Sequence, residues 1–168
     1  MIKIDACSLI YLVKSDLLSV ALDLYKEIRI TDSVYDEVIV RRKRAGHSDA
    51  AVAEAEVQRK KIKVVPSKAK KEPSLASLGR GESDTIAEAR AEDCPALVDD
   101  SRAKVVARKL KVPFLSVDIM LIEALARKKI TMDEFQRMAR DLNSVANFRS
   151  DKYADLLAIA NIVSRWKK

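Results

Sequence analysis

Acidic residues stand at the ends of several predicted strands. Asp5 closes the first strand, Asp99 and Asp100 follow the fourth, and Asp118 closes the fifth. Carboxylates packed together repel one another unless a divalent cation neutralises them. Hard oxygen donors without His or Cys favour Mg²⁺ or Mn²⁺ over zinc, and such ions can activate water and hold the oxygens of a phosphodiester. The spacing therefore fits a divalent-metal site capable of phosphodiester hydrolysis.

Two glutamates and a further aspartate extend this acidic set. Glu37 lies about one turn into the helix predicted after the second strand, and Glu82 lies in the first turn of the helix that follows residues 79–81. Helical geometry gives Glu82 the same face as Ile86, predicted to point inward, and turns Asp84 roughly the other way. Asp and Ser are also favoured N-caps wherever a helix follows a strand, so ordinary capping explains each acid equally simply.

Short apolar segments alternate with helical segments over most of the chain. This alternation favours an α/β fold, in which a central parallel sheet of about five short strands is covered on both faces, giving three layers. Ligands of such sheets bind outside the carboxyl ends of the strands. The predicted strands cover residues 2–5, 28–30, 62–65, 96–98 and 113–117.

Three further expectations concern the segments between and after the strands. The helix after the second strand is predicted to break at the basic run 41–44 and Gly46. Residues 67–77 are lysine-rich and contain Pro73, which predicts a mobile surface loop. A C-terminal helical extension over about 131–168 completes what we expect to be one domain spanning residues 1–168.

Composition narrows the classes of partner. The chain has 168 residues, of which 48% are hydrophobic, and its 32 Lys and Arg against 25 Asp and Glu give a net charge of +7. A basic balance favours an anionic partner, nucleic acid first, although a lysine-rich solvated surface would give the same count. No apolar run is long enough to cross a membrane, so we expect no membrane partner.

The cysteines and the histidine argue against several kinds of site. Cys7 and Cys94 lie far apart and form no CxxC pair, and His47 is the one histidine. These counts disfavour a disulfide framework and a zinc site. The chain opens on a strand-like segment, so we expect no secretory signal and a cytoplasmic location.

Four segments, taken in order, resemble the PIN domain family of small metal-dependent nucleases, which includes the VapC-type toxins. They are residues 4–10, 34–38, 78–84 and 96–102. The resemblance implies endonucleolytic cleavage of RNA with Mg²⁺ or Mn²⁺, and it brings in a homodimer and an antitoxin protein as expected partners. It implies Asp5, Glu37, Glu82 and Asp100 as catalytic residues and metal ligands, with Asp84 as the alternative ligand to Glu82 and Asp99 as the alternative to Asp100.

The first motif departs from the family pattern at one position. Where the family usually has Ser, Thr or Asn two residues after the first Asp, this chain has Cys7, so Ser8 could supply the hydroxyl instead. Basic residues near the acids are the expected RNA contacts. They are Arg80, Arg102, Lys104, Arg41 and Arg42, followed by Lys43 and Arg44. The alternative is a catalytically inert PIN-like module that binds nucleic acid or protein and uses its acids only as caps.

Overall fold

A computed structural model of the chain describes residues 1–70 and 72–165. The five strands are β1 Ile2–Ile4, β2 Ile28–Thr31, β3 Ile62–Val65, β4 Ala96–Leu97 and β5 Phe114–Leu115. The ten α-helical segments are α1 Ala6–Lys14, α2 Leu18–Leu24, α3 Asp32–Tyr35, α4 Arg42–Arg44, α5 Ala50–Gln58, α6 Arg80–Ala91, α7 Ser101–Lys109, α8 Val117–Ala126, α9 Met132–Ala146 and α10 Ser150–Ser164. A π-helical segment, Asp36–Arg41, joins α3 to α4, and a 3₁₀ turn covers Pro73–Leu75.

The five strands form one parallel sheet in the order β3-β2-β1-β4-β5. From β1 the chain moves outward to β2 and β3, and then returns to the other side of β1 with β4 and β5. The strand order therefore reverses between β1 and β4, and ligands of open parallel sheets bind outside the carboxyl ends of the strands at such a switch point. Asp5 and Asp99 follow these two strands.

Helices cover both faces of the sheet and confirm the predicted three-layer α/β/α arrangement. Successive side chains of a strand point to opposite faces. In β4 and the residue after it, Leu97 packs with the cluster that contains Leu9 and Phe135, whereas Ala96 and Val98 pack with the opposite cluster under α6 and α7. Each face of the sheet thus has its own apolar core. The two cores fix the strands and, with them, the positions of the acids that follow the strand ends.

The basic run after β2 does not break the helix, contrary to the prediction. The segment continues as π-helix and α4 to Arg44, and the turn that follows contains Gly46 at φ +81°. Ion pairs with acids of the same region offset three of these like charges. Arg41 pairs with Asp36, Arg42 with Asp49, and Lys43 with Glu54.

The C-terminal region is helical, as predicted, within the part of the chain that the structure describes. Helices α9 and α10 pack on α8, and α9 also packs on α1. The predicted last helix reaches Trp166, which lies outside the described residues. Among the described helices, none is both long enough and apolar enough to span a lipid bilayer.

Candidate active site at the carboxyl edge of the sheet

Asp5 lies at the centre of the carboxyl edge. It follows the fully buried strand β1 and is the N-cap of α1, where its Oδ1 accepts a hydrogen bond of 2.7 Å from the Ser8 backbone N–H. The residue is 0% exposed, and its Oδ2 is buried with no hydrogen-bond partner among the described residues. Burial, assisted by the negative charges of Asp99 and Glu82, raises the pKa of Asp5 to about 7 against the lowering effect of the hydrogen bonds from Ser8.

Ser8 connects Asp5 to Asp99. While its backbone N–H binds Asp5, its Oγ donates a hydrogen bond of 2.8 Å to Asp99 Oδ2, which also accepts one of 3.2 Å from the Val117 backbone N–H. Burial raises the pKa of Asp99 above its usual value. Ser8 therefore makes the hydroxyl contact that Cys7 does not. Burial raises the pKa of the Cys7 thiol to about 11, which keeps the thiol protonated.

Glu82 lies on the first turn of α6 and approaches the same region. Its Oε2 accepts a hydrogen bond of 3.1 Å from the backbone N–H of Gly79, the residue before the first turn of the helix. Burial raises the pKa of Glu82, and the negative charges of Asp100 and Glu37 act in the same direction. The hydrogen bond from Gly79 gives the Glu82 carboxylate a defined position beside the strand ends.

Glu37 is an exposed residue of the π-helical segment, an irregularity that is common at functional sites. Glycine at position 81 allows its close approach, since a Cβ there would lie 3.0 Å from Glu37 Oε2 and 3.3 Å from Val34 Cγ2. A cavity of about 240 Å³ separates the two glutamates from α1. It is lined by Ala6, Cys7, Ile10, Glu37, Gly79, Gly81 and Glu82.

The two adjacent acids after β4 have different surroundings. Asp99 is bonded to Ser8, whereas Asp100 caps α7 and accepts hydrogen bonds of 2.8 and 2.9 Å from the backbone N–H groups of Arg102 and Ala103. Asp100 is near enough to Glu82 for its charge to raise the pKa of that residue. The sequence favours Asp100 as the ligand, but Asp99 is the acid whose charge acts on Asp5.

Asp84 does not point away from the core as its helical position predicts. It is only 2% exposed, because α6 is covered by α3, α7 and the sheet, and every residue from Ser83 to Ala89 is buried. Arg80 Nε lies 3.8 Å from Asp84 Oδ2, and Asp84 acts electrostatically on Asp32. The charge of Asp84 thus acts on Asp32, which follows β2, whereas the charge of Glu82 acts on Asp5.

Asp118, predicted to close the fifth strand but without a counterpart in the family pattern, lies on the first turn of α8 beside Asp99. It is buried, and its Oδ2 is 3.0 Å from Nζ of Lys152 on α10. Burial raises the pKa of Asp118, but hydrogen bonds from Ser116 and Lys152 outweigh this effect and hold it below its usual value. Because acids at the ends of parallel strands share one edge of the sheet, the sequence already grouped Asp118 with the other acids of this site.

The predicted RNA-contacting cations fall into two groups. Arg102 and Lys104 flank the acids, since the charge of Arg102 lowers the pKa of Glu82 and that of Lys104 lowers the pKa of Asp99, in both cases against the larger effect of burial. Arg80 is exposed at the start of α6. In contrast, Arg41 and Arg42 form ion pairs with Asp36 and Asp49, two acids of their own region.

The donor set is suited to Mg²⁺ or Mn²⁺, although the ligands have not converged. The carboxylates supply hard oxygens, and the buried, unpartnered Asp5 Oδ2 is an atom that a cation would satisfy. Over residues 1–70 and 72–165, no three His, Cys, Asp or Glu side chains are arranged closely enough to hold a metal ion. Side-chain rotation of the more exposed acids is therefore needed to complete a coordination shell.

Comparison with known proteins gives one match. The model of the DUF3368 family, described as a PIN domain, matches residues 1–161. No curated protein and no solved structure matches the chain.

Proposed function

The chain belongs to the DUF3368 family of PIN domains, and from this membership we propose that it is a metal-dependent endoribonuclease. The PIN domain is a nuclease-type fold, commonly that of ribonucleases. Divalent metal is typical of its nucleases, and nucleic acid is the class of substrate. The proposal extends this class to hydrolysis of single-stranded RNA at the carboxyl edge of the sheet.

The observation that carries the proposal is the state of Asp5. A carboxylate with no exposure and a free Oδ2 costs folding free energy when ionised, which its raised pKa of about 7 expresses. Asp99 and Glu82 add further negative charge. Repulsion among these carboxylates costs free energy, and a bound cation would offset that cost. Acidic clusters with raised pKa values are typical of functional sites.

Asp5, Glu82 and Asp99 would hold Mg²⁺ or Mn²⁺, with Glu37 and Asp100 beside them. The bound ion would supply an activated water and neutralise charge on the phosphodiester. Ser8 keeps Asp5 and Asp99 oriented, because its N–H and Oγ bind one carboxylate each. Preorganised ligands of this kind reduce the reorganisation that the reaction requires.

Exposed cations beside the acids would bind the RNA backbone. Arg80 follows Gly79, and Arg102 and Lys104 lie on the first turn of α7, so these three flank the acidic cluster. Contacts to phosphate position the strand without reading its sequence. Arg41 and Arg42 contribute less in this proposal, since each is already paired with an acid.

A toxin role with an antitoxin partner, a homodimer and a cytoplasmic location are finer parts of the same proposal, and they rest on family resemblance alone. The inert binding module remains the alternative, and the unconverged ligands are the observation that favours it. The two functions differ in whether added metal produces cleavage.

The test is cleavage of a mixed-sequence single-stranded RNA in Mg²⁺, in Mn²⁺ and in EDTA. We expect cleavage only with metal, abolished in Glu82→Gln and largely retained in Asp84→Asn, an isosteric control on the same helix. RNA binding that is independent of metal, with no cleavage under any condition, would favour the inert module. Loss of cleavage in Asp84→Asn alone would reassign the ligand on α6.

A further inference from the structure

A lysine-bearing segment lies between β3 and α6, and its described residues, 67–70 and 72–80, are here called the strap. The sequence predicts that most of it is a mobile loop. In the structure, however, its described residues are attached to α3 and α6. Lys68 and Lys70 are exposed on it, which makes the strap a cationic surface of fixed position.

A buried carboxylate holds the first part of the strap. Glu88 of α6 is 7% exposed, and its Oε1 accepts hydrogen bonds of 2.5 Å from the Lys68 N–H and 2.6 Å from the Ala69 N–H. Ser67 Oγ also donates a hydrogen bond to Asp32 Oδ1. Hydrogen bonds to an ionised acceptor are about twice as strong as neutral ones, so the backbone that carries the lysines is well restrained.

The strap lies on the same edge of the sheet as the acids. Thr31, the last residue of β2, pairs with Val65 of β3, and the Ser67 contact to Asp32 keeps the strap at these strand ends. Strand β3 is two positions from β1, so at about 4.8 Å per strand the strap begins roughly 10 Å from Asp5.

The other end of the strap reaches the acidic cluster directly. The Gly79 N–H binds Glu82, and Arg80 follows it. Within this half of the strap, the side chain of Leu75 is buried and Glu72 forms an ion pair with Arg90 of α6. These contacts attach this half of the strap to α6. The two described parts of the strap therefore carry the exposed lysines at one end and contact the candidate metal ligand Glu82 at the other.

A cavity of about 480 Å³ opens along the strap. Pro73 and Leu78 supply apolar wall, and the exposed guanidinium of Arg80 lies at its side. Unpaired bases stack on apolar surfaces and on guanidinium planes, whereas bases in a duplex are not free to do so. The cavity is lined by Glu72, Pro73, Leu75, Ala76, Leu78, Arg80 and Ser83.

We propose that the strap is a subsite for single-stranded RNA to one side of the cleaved bond. Lys68 and Lys70 bind phosphates, and the cavity beside Arg80 takes one unpaired base. This inference rests on the proposed nuclease function, and it specifies the substrate as an unpaired strand that extends from the acids toward β3.

The test is the salt dependence of binding of a fluorescein-labelled single-stranded RNA, measured by anisotropy in EDTA. Each phosphate contact to a single strand contributes about 0.7 to the slope of log K against log salt, so K68A/K70A should reduce the slope by about 1.4. The matched control is K109A/K129A, which removes two exposed lysines near the ends of α7 and α8, at the opposite edge of the sheet. The control should keep the slope of the parent chain.

A second variant tests the base site separately. Ala76→Leu places a larger uncharged side chain in the cavity and should exclude the base. Loss of one stacked base is worth about 1–3 kcal/mol, so binding should weaken about 5- to 100-fold while the salt slope stays unchanged. If K68A/K70A keeps the parent slope, or changes it no more than K109A/K129A does, the subsite is wrong although the nuclease function can stand. If the parent chain itself neither binds nor cleaves single-stranded RNA, both proposals fail together.

Discussion

Replacement of Asp5 by Asn should make the protein more stable at alkaline pH. The pKa of Asp5 is about 7 in the folded chain against an ordinary value of 3.8. The folded state therefore binds this proton more tightly than the unfolded state, and the resulting stability is present below pH 3.8 and is lost as pH rises to about 7. At 1.36 kcal/mol per unit, ionisation of Asp5 costs about 4 kcal/mol of folding free energy at pH 8.

Asn removes this cost while it keeps the local structure. Asn and Asp are equally good N-caps, so the hydrogen bond from the Ser8 N–H is retained. Urea denaturation should show that the advantage of Asp5→Asn over the parent chain grows by about 4 kcal/mol between pH 4 and pH 8. A difference that is the same at both pH values, or a less stable variant at pH 8, would refute the assignment of a desolvated, ionisable Asp5.

Added Mn²⁺ should remove most of the difference in stability between the two proteins. A ligand that binds only the folded state stabilises it by about 2.7 kcal/mol at a hundred times its dissociation constant. The parent chain should gain this stability in metal at pH 8, and Asp5→Asn should gain much less. Equal stabilisation of the two proteins would show that the ion binds without Asp5.

Two further variants test the surroundings of the acids. Gly81→Ala places a Cβ 3.0 Å from Glu37 Oε2, so it should displace that flexible carboxylate and reduce RNA cleavage while unfolding free energy stays within about 1 kcal/mol. Gly79→Ala, whose Cβ would be 3.5 Å from its nearest neighbour, should cleave normally, and equal rates in the two variants would exclude the role of Glu37. Lys152→Met leaves the buried Asp118 without its ion pair, which should cost about 1–2 kcal/mol at pH 7 in urea denaturation. That cost should shrink as the pH falls through the lowered pKa of Asp118, and a cost independent of pH would contradict it.

The sequence predicts the sheet well, because short strands depend on local signals. Four of the five strands end at, or are soon followed by, an acidic or hydroxyl residue at the N-cap of the next helix, namely Asp5, Thr31, Asp100 and Ser116. Asp5 illustrates this, since one residue ends β1 and caps α1. Parallel pairing then brings such residues to one edge without further information.

The choice between neighbouring acids depends on packing that no local pattern contains. Asp99 and Asp100 differ by one position, and what links Asp99 to Asp5 is its contact with Ser8, 91 residues away in sequence. Asp84 is buried because α6 is covered on several sides, whereas the helical-wheel prediction assumes one buried face.

Two other features require distant partners. The helix continues through residues 41–44 because Asp49 and Glu54 pair with its cations. The start of the strap is held by Glu88, which follows Lys68 by 20 residues and has the sequence pattern of an ordinary surface glutamate on an amphipathic helix.

The most direct test of the central claim is RNA cleavage by the parent chain and by Asp5→Asn in the same Mn²⁺ buffer at pH 8. Because the variant is expected to be the more stable protein in the absence of metal, loss of activity could not be attributed to unfolding. We predict metal-dependent cleavage by the parent chain and none by Asp5→Asn. Equal cleavage by the two folded proteins would contradict a nuclease centred on the carboxylate that follows β1.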